Sequence, residues 1–442
     1  SFGIFNLQLE LFTSKDEANK YRNRTEAFKK ASLKGWEYAL NNPDEIIKII
    51  LEKYNTQNLT KEFLESIGFY WHTDADNTSY VADELVLVSN QEAEAYYEAA
   101  NELYDMFAEA AEYVIEHNLF HELNIPFNLV DVIKESWEND VHWHLYGRFD
   151  FAGGIDGKPI KLIEFNADTP TSLYETAIIQ WAMLKANKMD EDKQFNNVFE
   201  AIKENFKRLV MLGGDTDDFS KYYDGWKILF SSIQGSIEDE NTTRFLQVAA
   251  NEAGFHTDFA YVHEAAFSGE EGIFKGNENF EFWFKLIPWE NIAIEEGDLA
   301  LLLTEIIHNQ KAIVLNPAYT LLFQSKGIMK ILWDLFPNHP LLLETSFEPL
   351  KGKKQVEKRS FGREGANTII YDADMSVMAQ VDGEYDNFKP IYQEYAQLPK
   401  DAKGESYQAG VFFAYEGCGL GFRRGGLILE NFSKFVGHRI KD

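Results

Sequence analysis

Residues 141–151 read VHWHLYGRFDF, residues 159–168 read PIKLIEFNAD, and Gly153-Gly154-Ile155-Asp156-Gly157 lies between them. Aromatic and branched residues alternate with polar ones through both stretches, the two-residue period of a strand. The glycine-rich spacer predicts a hairpin turn. In such a pair Arg148 and Asp150 share one face, and Glu164 and Asn166 share one face of the next strand. Two carboxylates and an amide oxygen converging across paired strands suit Mg²⁺, a hard cation that takes few protein oxygens and completes its shell with water and phosphate.

Outward from this hairpin the texture changes. Apolar residues recur three and four apart over Asp16–Leu40 and Asn90–Glu116, so the first 130 residues are expected to be mainly helical. Helical periodicity returns over Ser172–Lys188 and Asp192–Leu212. It is followed by a strand-like Trp226–Ser232, the helix-like TTRFLQVAANEAG at 242–254 and a short strand around Phe259–Val262, an α/β alternation. In the last third, short β runs near 354–358, 367–371, 390–395, 410–415 and 426–430 are separated by glycine-rich turns, which predicts an antiparallel α+β lobe. The expected fold class is therefore mixed α+β and α/β, without internal repeats or long linkers.

Composition narrows the partners. The 442 residues carry 72 Asp and Glu against 42 Lys and Arg, a net charge of −30, with 45 % hydrophobic and 15 % aromatic residues. A core of several lobes is available, and the charge disfavours nucleic acid and membrane surfaces while it attracts cations. The single cysteine, Cys418, excludes an intramolecular disulfide and a cysteine zinc cluster and fits a reducing compartment, so a cytoplasmic location is expected. No apolar run approaches the roughly 18 residues of a spanning helix, and the opening SFGIFNLQLE shows no secretory signal.

Further motifs bear on chemistry. Lys351, Lys353, Lys354, Lys358 and Arg359 form the one basic concentration, and they lead into Gly362-Arg363-Glu364-Gly365-Ala366-Asn367. A lysine-bearing strand that runs into a glycine loop can lay backbone N–H groups and ammonium against nucleotide phosphates. It is not a Walker A loop, since no Gly-Lys-Ser/Thr follows. GCGLGFRRGG, residues 417–426, precedes the β-like LILENF rather than a helix, so it reads as a hairpin turn presenting Arg423 and not as a dinucleotide loop. His142 and His144 would share a strand face without a third ligand at metal spacing, which favours structural histidines. Glu238-Asp239-Glu240 reads as the acidic first turn of a helix, Cys418 as a plain turn residue, and Trp283, Trp289 and Trp333 as core.

GRFD at 147–150, EFNADTPTSLYE at 164–175, FKLIPWE at 284–290, FGREGAN at 361–367, IYQEYAQLP at 391–399 and NFSKFVGHRI at 431–440 occur in one order. Together they resemble the glutathionylspermidine synthase family of ATP-grasp ligases, from Trp143 to Ile440, and within it the stand-alone acid–amine ligase branch without the cysteine amidase domain. The resemblance implies an ATP-grasp fold: a helical portion over 1–135, a substrate and Mg-binding region over 136–320 and a nucleotide-binding lobe over 321–442. It implies Asp150, Glu164 and Asn166 as Mg²⁺ ligands and Arg148 as the arginine orienting the acid, with Thr169 and Thr171 where synthetase serines touch a glutathione-like substrate. Lys326 and Lys358 match the ATP-phosphate lysines, Gly362 and Gly365 lie in the loop closing over ATP, Arg363 is its arginine, and Gln393 stands near the adenine pocket. Arg423 matches a second transition-state arginine, and Glu238 lies in the segment associated with the amine. The chain departs from the pattern at Arg424, Gly425 and Gly437, and at Leu286 and Asn291, where the synthetases present threonines.

The activity so implied is ATP-dependent joining of a small peptide or γ-glutamyl acid to an amine such as a polyamine, through an acyl phosphate. Two other readings stay open on the residues: a nucleotide-binding protein without turnover, and a metal-dependent hydrolase using His142 and His144 with Asp150.

Overall fold

A six-stranded sheet carries the hairpin, in the order β1 (Val81–Val88), β18 (Lys434–Ile440), β17 (Glu416–Gly425), β16 (Ser406–Ala414), β2 (Gly147–Ala152), β3 (Lys161–Asn166), with strands numbered along the chain. The computed structural model describes residues 60–73, 78–430 and 433–441, with Lys30 and Lys34. The helix expected over Asp16–Leu40 lies outside the described residues apart from those two helical lysines. β1 pairs in parallel with β18, and every other pairing in the sheet is antiparallel. β1 is a strand within the first 130 residues, where helix was expected to dominate. Its LVLV run is branched and apolar, which suits a strand once a partner edge is present.

The helix Asn90–Glu116 forms where its spacing predicts it. Ser89 and Glu92 make a reciprocal capping box, and Ala93, Tyr96, Ala100, Leu103, Phe107, Ala111 and Val114 bury one stripe. That stripe packs on the sheet face from which Phe149, Phe151 and Phe165 project; the Phe149 and Phe165 rings stack at 3.8 Å and Phe107 meets both edge-on. The opposite face of β2 and β3 carries the polar residues.

Three local expectations are corrected. Residues 141–146 are irregular and the strand begins at Gly147, because side-chain amides rather than a neighbouring strand take up the backbone groups. Asn316 Oδ1 accepts from the Leu145 N–H at 2.9 Å, and Asn205 Nδ2 donates to the His144 and Leu145 carbonyls. GCGLGFRRG is strand β17, not a turn: a Cβ at Gly421 would lie 2.8 Å from Thr176 Oγ1 and one at Gly419 would overlap Val198, so glycine lets the flanking helices reach the sheet. Residues 426–430, expected as a strand, form an irregular loop.

A parallel sheet in the order β10 (Ile313–Leu315), β9 (Phe282–Lys285), β4 (Lys227–Ser231), β5 (His256–Phe259) supplies the α/β part. β5 ends where the expected strand begins, and the Val262–Glu264 segment is a 3₁₀ turn. The antiparallel part is β11 (Thr345–Ser346), β15 (Pro390–Glu394), β12 (Gln355–Arg359), β13 (Thr368–Tyr371), β14 (Val377–Val381), and β6 (Ala265–Ser268), β7 (Gly272–Lys275) and β8 (Glu278–Phe280) make a small separate sheet. Among the described residues no helix is long and apolar enough to cross a membrane.

Candidate active site

On β2 and β3 the register sets Arg148 opposite Asn166 and Asp150 opposite Glu164. Arg148 clamps Asp150 with two parallel hydrogen bonds, Nε to Oδ1 at 2.6 Å and Nη2 to Oδ2 at 2.9 Å, the strong fork geometry of guanidinium and carboxylate. Asn166 Nδ2 and Gln408 Nε2 also donate to Asp150 Oδ2, at 3.2 and 3.0 Å. Gly410 on β16 clears room for this arginine, since a Cβ there would stand 3.0 Å from Arg148 Cδ. Burial pushes the Asp150 carboxyl up despite Arg148 beside it.

Two lysines face these carboxylates from separate elements. Lys326 Nζ, just after the helix Thr320–Gln324, lies 3.2 Å from Glu164 and donates to the Gly362 carbonyl at 2.6 Å. Lys358, on β12, donates to Gln393 Oε1 at 2.9 Å and to the Ile163 carbonyl at 3.3 Å. Burial alone would raise Glu164, but Lys326 and Lys358 outweigh it and hold the carboxyl down at about 2. Burial pushes the Lys358 ammonium down to about 8 against the pull of Glu164. A phosphate-bearing ligand is therefore expected to bind about tenfold more weakly at pH 9 than at pH 7, as Lys358 loses its proton across that window; calorimetry with ATP at the two pH values checks this.

These side chains open onto one cavity of about 220 Å³. It is lined by Arg148, Asp150, Glu164, Asn166, Thr169, Thr171, Lys326, Lys358, Gly362, Arg363, Gly365, Gln393 and Arg423. Ile163, Leu343, Val356, Ile370, Tyr395 and Leu398 add an apolar wall. Residues from Arg148 to Glu430, far apart in the chain, thus meet. Arg423 gives Nε to the Ser433 carbonyl and Nη2 to the Glu430 carbonyl, both at 3.1 Å.

Glu238 is the one expected site residue that does not line this cavity. It sits in the acidic first turn of the helix Ile237–Ala253, capped by Ser236, and burial together with Glu175 and Asp239 pushes it up to about 8. Arg423 acts on it in the opposite direction, which places the two groups within electrostatic reach.

Several residues escaped the motif reading. Gln408 was silent in sequence because its role follows from standing on β16, diagonal to Asp150 across the β16–β2 pairing. Gln324 Oε1 accepts from the Ala167 and Asp168 N–H groups at 2.9 and 3.2 Å and so fixes the NAD segment; its place two residues before Lys326 was the one available signal. Asp168 and Lys285 form a fully buried pair at 2.8 Å. Arg424 lies outside the cavity lining, pairing with Glu84 and Glu405, so its charge is met by two carboxylates there.

The histidine arrangement required by a His142, His144 and Asp150 metal centre does not form. His144 Nε2 lies 2.9 Å from the Ala167 carbonyl and its ring stacks on Tyr104, while Asp150 is turned to the other face, onto Arg148. Burial holds both histidines down at about 4. Among the described residues no group of three or more His, Cys, Asp or Glu side chains is placed to hold a metal.

Comparison with known proteins bears on this arrangement. Residues 52–441 match the model of the glutathionylspermidine synthase preATP-grasp family. A Haemophilus influenzae protein named "Putative acid--amine ligase" is 28 % identical over 392 residues, covering 85 % of this chain and 95 % of that protein. The bifunctional glutathionylspermidine synthetase/amidase of Escherichia coli is 25 % identical, with 68 % of this chain and 50 % of the relative aligned, and the trypanothione synthetase of Crithidia fasciculata is 23 % identical, with 77 % and 54 % aligned. The chain thus spans about half the length of these two larger enzymes. A glutathione synthetase-like effector from Globodera pallida superposes with a TM-score of 0.52 at 10 % identity, over 84 % of this chain and 93 % of that one, a likeness of fold. With a family match that runs through every strand of the cavity wall, the chain belongs to the glutathionylspermidine synthase family.

Proposed function

We propose that this protein is an ATP-dependent acid–amine ligase that joins a small carboxylic acid to an amine and releases ADP and phosphate. The observation that carries the reading is the convergence on one cavity of two buried lysines, Lys326 and Lys358, with the Asp150–Glu164 carboxylate pair and the glycine loop around Gly362 and Gly365. Positive charge, backbone N–H groups and an apolar slot beside Gln393 are what a nucleotide's phosphates and base require. The ligase names of the relatives support the same class.

In this reading Lys326 and Lys358 neutralise the phosphate tail, and Arg148 with Thr169 and Thr171 orients the acid so that its carboxylate oxygen attacks the terminal phosphorus. ADP leaves and an acyl phosphate remains. The amine nitrogen then attacks the acyl carbon, and inorganic phosphate departs as Arg363 and Arg423 offset the charge on the oxyanion. Asp150 and Glu164, facing each other with the Asn166 amide beside both, form a hard oxygen donor set that fits Mg²⁺ once the amide presents Oδ1, and the ion would supply charge neutralisation to the phosphates. The −30 net charge favours a cationic amine, a polyamine being the natural class. Because burial and its acidic neighbours push Glu238 up to about 8, replacing it with Gln is expected to raise the amine KM several-fold at pH 9, where the carboxyl is mostly ionised, and to change it little at pH 7, in steady-state assays at the two pH values.

The decisive experiment measures ADP release with Mg²⁺ and ATP while acids and amines are supplied singly and in pairs. Release that requires both supports ligation. Release with neither indicates ATP hydrolysis uncoupled from ligation, and tight ATP binding without turnover across γ-glutamyl and peptide acids paired with polyamines favours a nucleotide-binding role instead.

A further inference from the structure

Glu290, in the helix Trp289–Glu295 that follows β9, is 1 % exposed, yet its carboxylate reaches the glycine loop and pairs with the Arg363 guanidinium. Its other oxygen, Oε2, is buried without a hydrogen-bond partner. Behind it stands the Asp168–Lys285 pair, both side chains fully buried. Asp168 Oδ1 lies 2.8 Å from Lys285 Nζ, Oδ2 accepts from the Trp289 N–H at 2.8 Å, and Lys285 Nζ also donates to the Ile287 carbonyl at 2.9 Å. Charges of alternating sign therefore run from the fully buried Asp168, one residue before Thr169, through Lys285 and Glu290 to the part-buried Arg363. The pair at the far end joins a rigid element to a loop.

We propose that Glu290 is a positioning residue that latches the glycine loop over the cavity through Arg363, with Asp168 and Lys285 holding the Trp289–Glu290 turn in place. The energetic reason is local. If the loop lifts, Arg363 reaches water but Glu290 stays behind, a buried carboxylate that has lost its guanidinium, and uncompensated buried charge is among the costliest states a protein can adopt. The closed loop is thus favoured before any nucleotide binds. A guanidinium carries five N–H donors, so Arg363, which lines the cavity and also meets Tyr385, keeps donors beyond the bond to Glu290. Elsewhere among the described residues the loop is held by neutral or single contacts: Lys326 donates to the Gly362 carbonyl, Phe361 packs on Phe388, and Asn367 bonds the exposed Asp386.

The role in turnover rests on the ligase reading, but the latch is testable without it. Hydrogen–deuterium exchange of the whole protein, free of nucleotide, reads the protection of residues 361–367. Glu290→Gln, which keeps the shape and removes the charge, is expected to speed exchange there by about tenfold and leave the strands β2 and β16 unchanged. Arg363→Ala is expected to speed it equally, and adding Glu290→Gln to Arg363→Ala should change nothing further, the non-additivity of two ends of one contact. Should Arg363→Ala, which strands the buried Glu290 charge, fail to fold, Glu290→Gln alone decides, because it removes that charge and keeps the shape. Wild-type protection in either single variant, or an additive double variant, overturns the latch. In the assay of ADP release, Glu290→Gln should lower kcat with little change in the KM of the acid, and Glu290→Asp should recover part of the loss. A folded protein with a loosened loop and no ligase activity in any form would keep the latch and reject the ligase.

Discussion

Asp150→Asn is expected to lower kcat/KM for ATP-dependent turnover by at least about 10²-fold, with the protein still folded. Asp150 accepts four donors, from Arg148 twice and from Asn166 and Gln408 once each, so it organises the polar face of the hairpin as a unit. An asparagine keeps one carbonyl oxygen and replaces the other with an N–H₂ group that meets donors head-on. The Arg148 fork then has one acceptor instead of two, and the guanidinium proposed to orient the acid is free to swing. Folding is spared because burial already pushes the Asp150 carboxyl up, so the charged form costs the native state something that the neutral amide does not. ADP release and a thermal melt on the same preparation separate the two effects. Turnover equal to the parent's would remove Asp150 from the machinery.

The largest loss of stability is expected from Lys285→Met. Lys285 and Asp168 are both fully buried, and deleting the ammonium leaves Asp168 as an unpaired charge close to Glu290. Breaking such a pair by removing one partner costs about 3–5 kcal/mol. A double variant, Lys285→Met with Asp168→Leu, removes both charges and is expected to recover part of that loss, which unfolding in urea at constant slope would report. A single variant as stable as the parent would mean that Asp168 ionises freely or bonds elsewhere.

Much of this was readable before any coordinates. The β2–β3 hairpin, the helix Asn90–Glu116, and the strands at β4, β12, β13 and β15 fall where period and turn residues place them, because each is specified by neighbours within a few positions. The residues of the polar hairpin face were legible for the same reason: a period of two decides which side chains share a side. The errors have a common cause. β1 was read within helical sequence because its partner, β18, lies some 350 residues away. GCGLGFRRG was read as a turn because its glycines answer to Val198 and Thr176, contacts that no local pattern announces. Residues 141–146 were read as strand because alternation cannot reveal that Asn205 and Asn316 occupy the backbone.

What the sequence determined by itself is therefore local: which segments are helix or strand, which residues stand on one face of a hairpin, and a composition that turns away polyanions. Tertiary structure alone decided that Lys326 and Lys358 lie against Glu164, that Gln408 completes the hold on Asp150, and that a buried charge, Glu290, reaches across to the glycine loop. The physical reason is that secondary structure follows from interactions over three or four residues. A buried charge acquires its partners only from the chain folded around it, and those partners set both its protonation and its cost.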